Sequence, residues 1–134
     1  MRKFFTKFKV LKTKHILCIA WINGKKAKLL IDTGASNSCI DSVLQDHFEL
    51  KKYGEPFQAS GASEGKMEAT MTLNCNIKLG RNYKGKQAFV LLDLSHVNGT
   101  LRTHGVEEID GVIGADFLKE NKAIIDYGQS KLFL

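Results

Sequence analysis

The stretch from residue 15 to residue 32 constrains this chain more than any other. HILCIAWI is followed by Asn23-Gly24-Lys25 and then by KAKLLID. Two apolar runs around Asn-Gly read as strand, tight turn, strand, a β-hairpin. The flanks continue in the same idiom. KFFTKFKVLK before the hairpin alternates loosely and predicts a first strand. EPFQAS, residues 55–60, predicts another, and the glycine-bracketed GASEG, residues 61–65, a turn. KMEATMTLNCNIKLG then reads as one alternating strand, with Met67, Ala69, Met71, Leu73, Cys75, Ile77 and Leu79 on one face. RNYKGK reads as a turn, QAFVLLDL as an apolar strand buried on both faces, and residues 95–108 as a polar loop. IDGVIG, AIIDY and KLFL close the chain as short strands, the last two joined by a GQS turn. Helices are few. Ser42-Val-Leu-Gln45 has the capping-box pattern ahead of Val43, Leu44 and Phe48, predicting a helix over 42–48, and ADFLKENK predicts a second. Many short strands without a βαβ rhythm make the class mostly β, closed or sandwiched.

At 134 residues the chain is expected to form one domain, 1–134, large enough to fold without disulfide staples. Its cysteines, Cys18, Cys39 and Cys75, are odd in number and unpaired in spacing. They read as small buried side chains in a reducing cytoplasm rather than as a disulfide framework. Lys7, Lys9, Lys12 and Lys14 interrupt any apolar core of a signal peptide, and Ile16 to Ile22 is too short to span a bilayer. No membrane partner is expected. The four histidines have no metal-ligand spacing, so neither metal nor cofactor is expected.

Charge is lopsided. Residues 1–31 carry nine Lys or Arg and no acid, whereas the rest carries eleven basic and fourteen acidic residues. A nucleic-acid surface is one reading. The basic residues are scattered, with no stacking platform or nucleic-acid motif around them, so a solvated face on the first strands is favoured. Trp21, in an apolar strand, reads as core or interface.

The hairpin's second strand ends on an acid. LLI runs straight into Asp32, and Thr33, Gly34 and Ala35 follow, small and turn-forming. A lone buried carboxylate is costly, so an acid there should be paired, hydrogen-bonded or neutralised. That is the setting in which an aspartate becomes a general base. A turn-capping aspartate after a buried strand is the other reading. These residues alone leave the two level. Downstream, DGVIGADFL repeats the logic: Val112-Ile113, then Gly114, then a short helix.

At this point the sequence resembles the retropepsin-like aspartic proteases. LLIDTGAS is similar to the family's catalytic loop, and DGVIGADFL to its second signature of two apolar residues, glycine and a helix. QASG sits where the flap hairpin is expected, and AIIDYGQSKLFL is similar to the closing strands of cellular and bacterial members. The two signatures in this order are specific where either alone is not.

The resemblance implies a retropepsin-like acid protease barrel, one lobe per chain, with two short helices. It implies an aspartic endopeptidase acting on peptide or protein substrates, and a bacterial cytoplasmic location. Members activate one water with two aspartates that share a proton. This chain has one Asp-Thr-Gly; Asp110 reads as a turn or strand-end residue and Asp116 as a helix-start acid. A homodimer with one Asp32 from each subunit is therefore expected. In that arrangement Asp32, Thr33 and Gly34 are the catalytic residues. The Thr33 hydroxyl bonds across the axis, and the Gly34 amide bonds the carboxylate. Ala35, Ser36, Ala59, Ser60, Gly61, Ala62 and Gly114 are the expected substrate-binding residues, with the hairpin around Ala59 to Gly65 closing over an extended peptide. Ala35 cannot donate the hydrogen bond that Ser or Thr would give the aspartate. The pair should stay half-protonated toward mildly acidic or near-neutral pH, and a rate optimum below about 3 would contradict this. Ser36 stands where viral members have a second Asp, and Glu64 lies near the flap tip, so substrate contacts differ from theirs. A retropepsin-like module that binds peptides and dimerises without cleaving is the alternative function.

Overall fold

The computed structural model describes residues 4–60 and 66–134. The hairpin forms where the sequence places it. Strand β2 (Ile16–Ile22) pairs antiparallel with β3 (Lys25–Ile31) in unbroken register, from Ile16 opposite Ile31 to Ile22 opposite Lys25. Asn23 (φ 48°) and Gly24 (φ 82°) both take the left-handed backbone that the tight turn requires. The Asn23 amide also ties the turn down, donating to Phe48 O at 2.8 Å.

The second edge of β2 is shared. Strand β1 (Phe5–Val10) takes its first half, and β7 (Cys75–Leu79) its second. β1 continues outward to β12 (Lys131–Phe133) and β11 (Ile124–Asp126). On the other side of β3 the topology crosses over. Strand β10 (Gly111–Ile113) inserts between β3 and β4 (Cys39–Asp41), parallel to the first and antiparallel to the second. The sheet then runs through β9 (Val90–Leu92), β6 (Lys66–Thr72) and β5 (Lys52–Ser60). Strand β8 (Tyr83–Gln87) pairs with β7. Two helices, α1 (Ser95–Thr103) and α2 (Ala115–Glu120), complete the elements of the described residues. None of them is long and apolar enough to cross a membrane.

Two apolar clusters hold this frame. One packs Ile22, Leu29, Ile40, Phe48, Phe89 and Phe117 between the sheet's curled faces. The other lies under α1, where Leu94, Leu101 and Ile109 meet Leu17, Leu30 and Val112. Completely burying side chains of this size stabilises by roughly 1.5–3 kcal/mol each.

Several sequence expectations need correction. The alternating run 66–80 is two strands, not one. It breaks at Leu73-Asn74, where Leu73 is 47% exposed, and passes from a pairing with β5 and β9 to one with β2 and β8. RNYKGK is mostly strand, because β7 offers a free edge to Tyr83–Gln87 despite Gly85. The strand in QAFVLLDL shrinks to Val90–Leu92. The predicted helix over 42–48 is a single 3-10 turn, Ser42–Leu44, capped by Asp41 rather than Ser42. Tight turns follow it to bury Phe48, and Val43 points outward at 80% exposure. The polar loop 95–108 contains α1. Buried Asn98 fixes that helix by exchanging two hydrogen bonds with the Ile109 backbone, at 2.8 and 3.1 Å. The GASEG turn lies outside the described residues.

All three cysteines are buried free thiols. Burial pushes Cys18 and Cys39 up to about 12 and Cys75 up to about 11. The thiolate is the reactive form, so a disulfide-exchange reagent at neutral pH should label none in the native protein and three after unfolding. Rapid native labelling would mean that these strands open readily.

Candidate active site

β3 ends at Ile31, and the chain must turn at once because β10 caps the next position. The Asp32 amide donates to Ile113 O at 2.9 Å, which makes Asp32 the last residue held by the sheet. Its side chain is then free to project, and it is exposed. Among the described residues, the only hydrogen bond to its carboxylate comes from the Gly34 amide, 2.8 Å from Oδ1. The Ala35 amide closes the turn on Asp32 O at 3.2 Å.

The loop is locked from behind by the second signature. Ala115 N donates to Ala35 O at 2.7 Å. Gly114 N donates to Ser38 Oγ at 2.9 Å, and Ser38 Oγ and N donate to Asp116 Oδ1 at 2.7 and 2.9 Å. Gln87 Nε2 reaches the other oxygen, Oδ2, at 3.1 Å. Ser38 is 1% exposed, so the Gly114–Ser38 bond is shielded from water, and the part-buried bonds to Asp116 add to its hold on the loop. Asp116 thus does more than favour the dipole of α2: its carboxylate joins three separate parts of the chain. Asp110 ends the loop before β10, with its Oδ2 accepting from Lys28 N at 2.8 Å.

A cleft of about 430 Å³ opens beside Asp32. Of the residues read from the sequence, Asp32, Gly34, Ala35, Ser36 and Ala59 line it. Thr33 is exposed on the same loop but does not line the cleft. Gly114 is buried behind the loop and also does not. Ser60 ends β5, paired with Lys66 of β6, and Gly61 and Ala62 lie outside the described residues.

The remaining walls escaped the sequence reading. Phe57, Val90, Leu92, Val97 and Val112 make them apolar, and Asp93 and His96 add polar groups. Phe57 was accessible to inference, since it alternates with Ala59 on β5. The residues around α1 were not, because SHVNGTLRT gives no helical signal. The Ser95 amide and hydroxyl bond the Asp93 carboxyl and hold it below the usual carboxylate range. Among the described residues no group of three or more His, Cys, Asp or Glu is placed to hold a metal ion.

An apolar cleft with a loop-borne aspartate, on a sheet threaded by a late strand, defines a retropepsin-like lobe. Solved structures share that architecture at low sequence identity. EIAV protease in complex with the inhibitor HBY-793 aligns with a TM-score of 0.56 and 22% identity, over 84% of this chain and 92% of that one. The retroviral protease-like domain of Ddi1 from Leishmania major aligns at 0.63 and 17%, over 96% and 88%. A retropepsin-like aspartic protease from Rickettsia conorii aligns at 0.57 and 16%, over 98% and 94%. No curated protein sequence matches the chain. The sequence profile described as Aspartyl protease matches residues 19–117, and the chain belongs to that family.

Proposed function

We propose that this chain is an aspartic endopeptidase whose water-activating pair forms when two copies bring their Asp32 side chains together. The observation that carries this reading is the setting of Asp32. It is an exposed carboxylate on a loop rigidly tied to β10 and α2, at the mouth of an apolar cleft. A single such acid can accept a proton from water but cannot also donate one to the scissile carbonyl. A second copy supplies that donor. The ionised carboxylate takes the water's proton, and the protonated one polarises the carbonyl. Apolar side chains flanking the scissile bond would sit against Phe57, Val90 and Val112, with their backbone extended along the cleft.

Purified protein incubated with a diverse peptide library from acid to neutral pH should give discrete cleavage products. Peptide binding without cleavage would instead support a non-catalytic peptide-binding module. Sedimentation velocity checks the assembly. The active species should be a dimer, with specific activity falling on dilution below its dissociation constant. Full activity from a strictly monomeric species would rule out a shared pair.

A further inference from the structure

A second cavity, of about 890 Å³, lies on the outer face of β1 and β2 and shares no lining residue with the Asp32 cleft. Its floor is apolar, because Leu17, Ile19 and Trp21 alternate along one side of β2. Its walls are basic. Lys7 of β1 and Arg81 of the β7–β8 turn are exposed, and neither has an ion-pair partner among the described residues. Glu107 is the one acid among the lining residues, and it is already engaged by Lys9 at 3.0 Å and Lys28 at 3.7 Å. Two further ammonium groups sit over aromatic rings: Lys131 lies 4.4 Å from the Phe5 centroid and Lys78 lies 5.5 Å from Trp21. The basic front that reads as a solvated face in the sequence is thus folded around a recessed apolar strip.

We propose that this groove is a docking site for an extended acidic segment of a protein partner, with carboxylates alternating with apolar side chains. Charge complementarity selects the acid. Ile19 and Trp21, the half-buried positions of the strip, select the apolar residues, since side chains two apart on an extended segment repeat at roughly 7 Å, the spacing of these two. Two observations set this occupant above nucleic acid and membrane. Nucleobases bind by stacking on open ring faces, and here Lys131 and Lys78 each cover one face of Phe5 and Trp21. A base stacking on that face would have to displace the cation, whereas a carboxylate joins it. The strip lies between the exposed charged side chains of Lys7 and Arg81, with Ile19 and Trp21 only half-exposed, so a flat bilayer surface meets the charges before the strip.

Trp21 is the chain's only tryptophan, so its emission reports occupancy of the groove directly. The titration uses the Asp32→Asn protein, which leaves the peptide uncleaved, and a synthetic peptide alternating glutamate with leucine. A saturable change in Trp21 emission is expected, weakening as salt is raised. The double variant Lys7→Glu/Arg81→Glu, both positions exposed, should fold as the parent does by circular dichroism. It should bind about tenfold more weakly or worse, because two attractions become repulsions. A lysine–leucine peptide should give no change. Peptide binding that the double variant leaves intact overturns the proposal. So does tighter binding of a thymidine oligonucleotide or of phosphatidylserine vesicles than of the acidic peptide. Self-association through Trp21 that excludes the peptide would overturn it as well.

Discussion

Replacing Asp32 with asparagine is expected to lower peptide hydrolysis by about 10⁴-fold or more, the scale seen when one member of a concerted catalytic unit is removed. The change should spare the fold. Asp32 is exposed, and the only hydrogen bond to its side chain among the described residues, from the Gly34 amide, can be accepted equally well by an asparagine oxygen. Loss of rate with an unchanged melting temperature is therefore the expected signature. A mixing experiment extends it. If each site takes one aspartate from each subunit, an excess of Asp32→Asn added to wild type should draw active subunits into inactive mixed dimers and depress the rate. Equal cleavage by wild type and variant would place the chemistry elsewhere. A wild-type rate that excess variant does not touch would contradict a shared site.

Gly114→Ala should damage both stability and activity, for a reason unrelated to backbone freedom. Gly114 has φ −104° and ψ −172°, which any residue can adopt. The obstacle is space. A Cβ there would lie 2.6 Å from Ala35 O and 2.9 Å from the Asn37 carbonyl carbon and oxygen. These are backbone atoms of the loop that carries Asp32, and they cannot rotate aside as a side-chain end could. Either α2 or the loop must move. Overpacking of this kind costs about 1–3 kcal/mol, read as a fall of several degrees in Tm. A displacement near 1 Å at Asp32 should cost roughly 100-fold in kcat/KM among molecules that remain folded. A variant with wild-type melting and wild-type rate would show that the loop is not clamped from behind.

The sequence was most legible where local and global signals agree. The Asn23-Gly24 hairpin, the strand into Asp32 and the strand–glycine–helix at Val112 to Phe117 all have side-chain patterns that match their final burial. It was least legible where distant partners decide. α1 contains Gly99, Val97 and two threonines, poor helix formers, and it exists because Asn98 and Leu101 are buried against β10's approach. β8 contains a glycine and three polar residues, and it becomes a strand because β7 presents an open edge. The break at Leu73-Asn74 leaves no mark in the apolar alternation, although burial there passes from Thr70 and Thr72 to Cys75, Ile77 and Leu79, with Leu73 exposed between them. The same limit applies to the cleft. Asp32, Gly34, Ala35 and Ser36 are contiguous and could be read together, whereas Asp93, His96 and Val97 join them only once α1 is in place.

The insertion of β10 between β3 and β4 also orders events in time. Lys28 and Asp110 are 82 residues apart in the chain. Yet each donates a hydrogen bond to the other at 2.8 Å, immediately before the pairing that seats the Asp32 loop. Closing so long a loop costs chain entropy that no local contact offsets, which places this pairing late in folding. A chain still leaving the ribosome can complete the β2–β3 hairpin early. It cannot seat Asp32 until the residues after Asp110 have emerged. The Asp32 loop is therefore seated only after β10 has been made, a delay written into strand order.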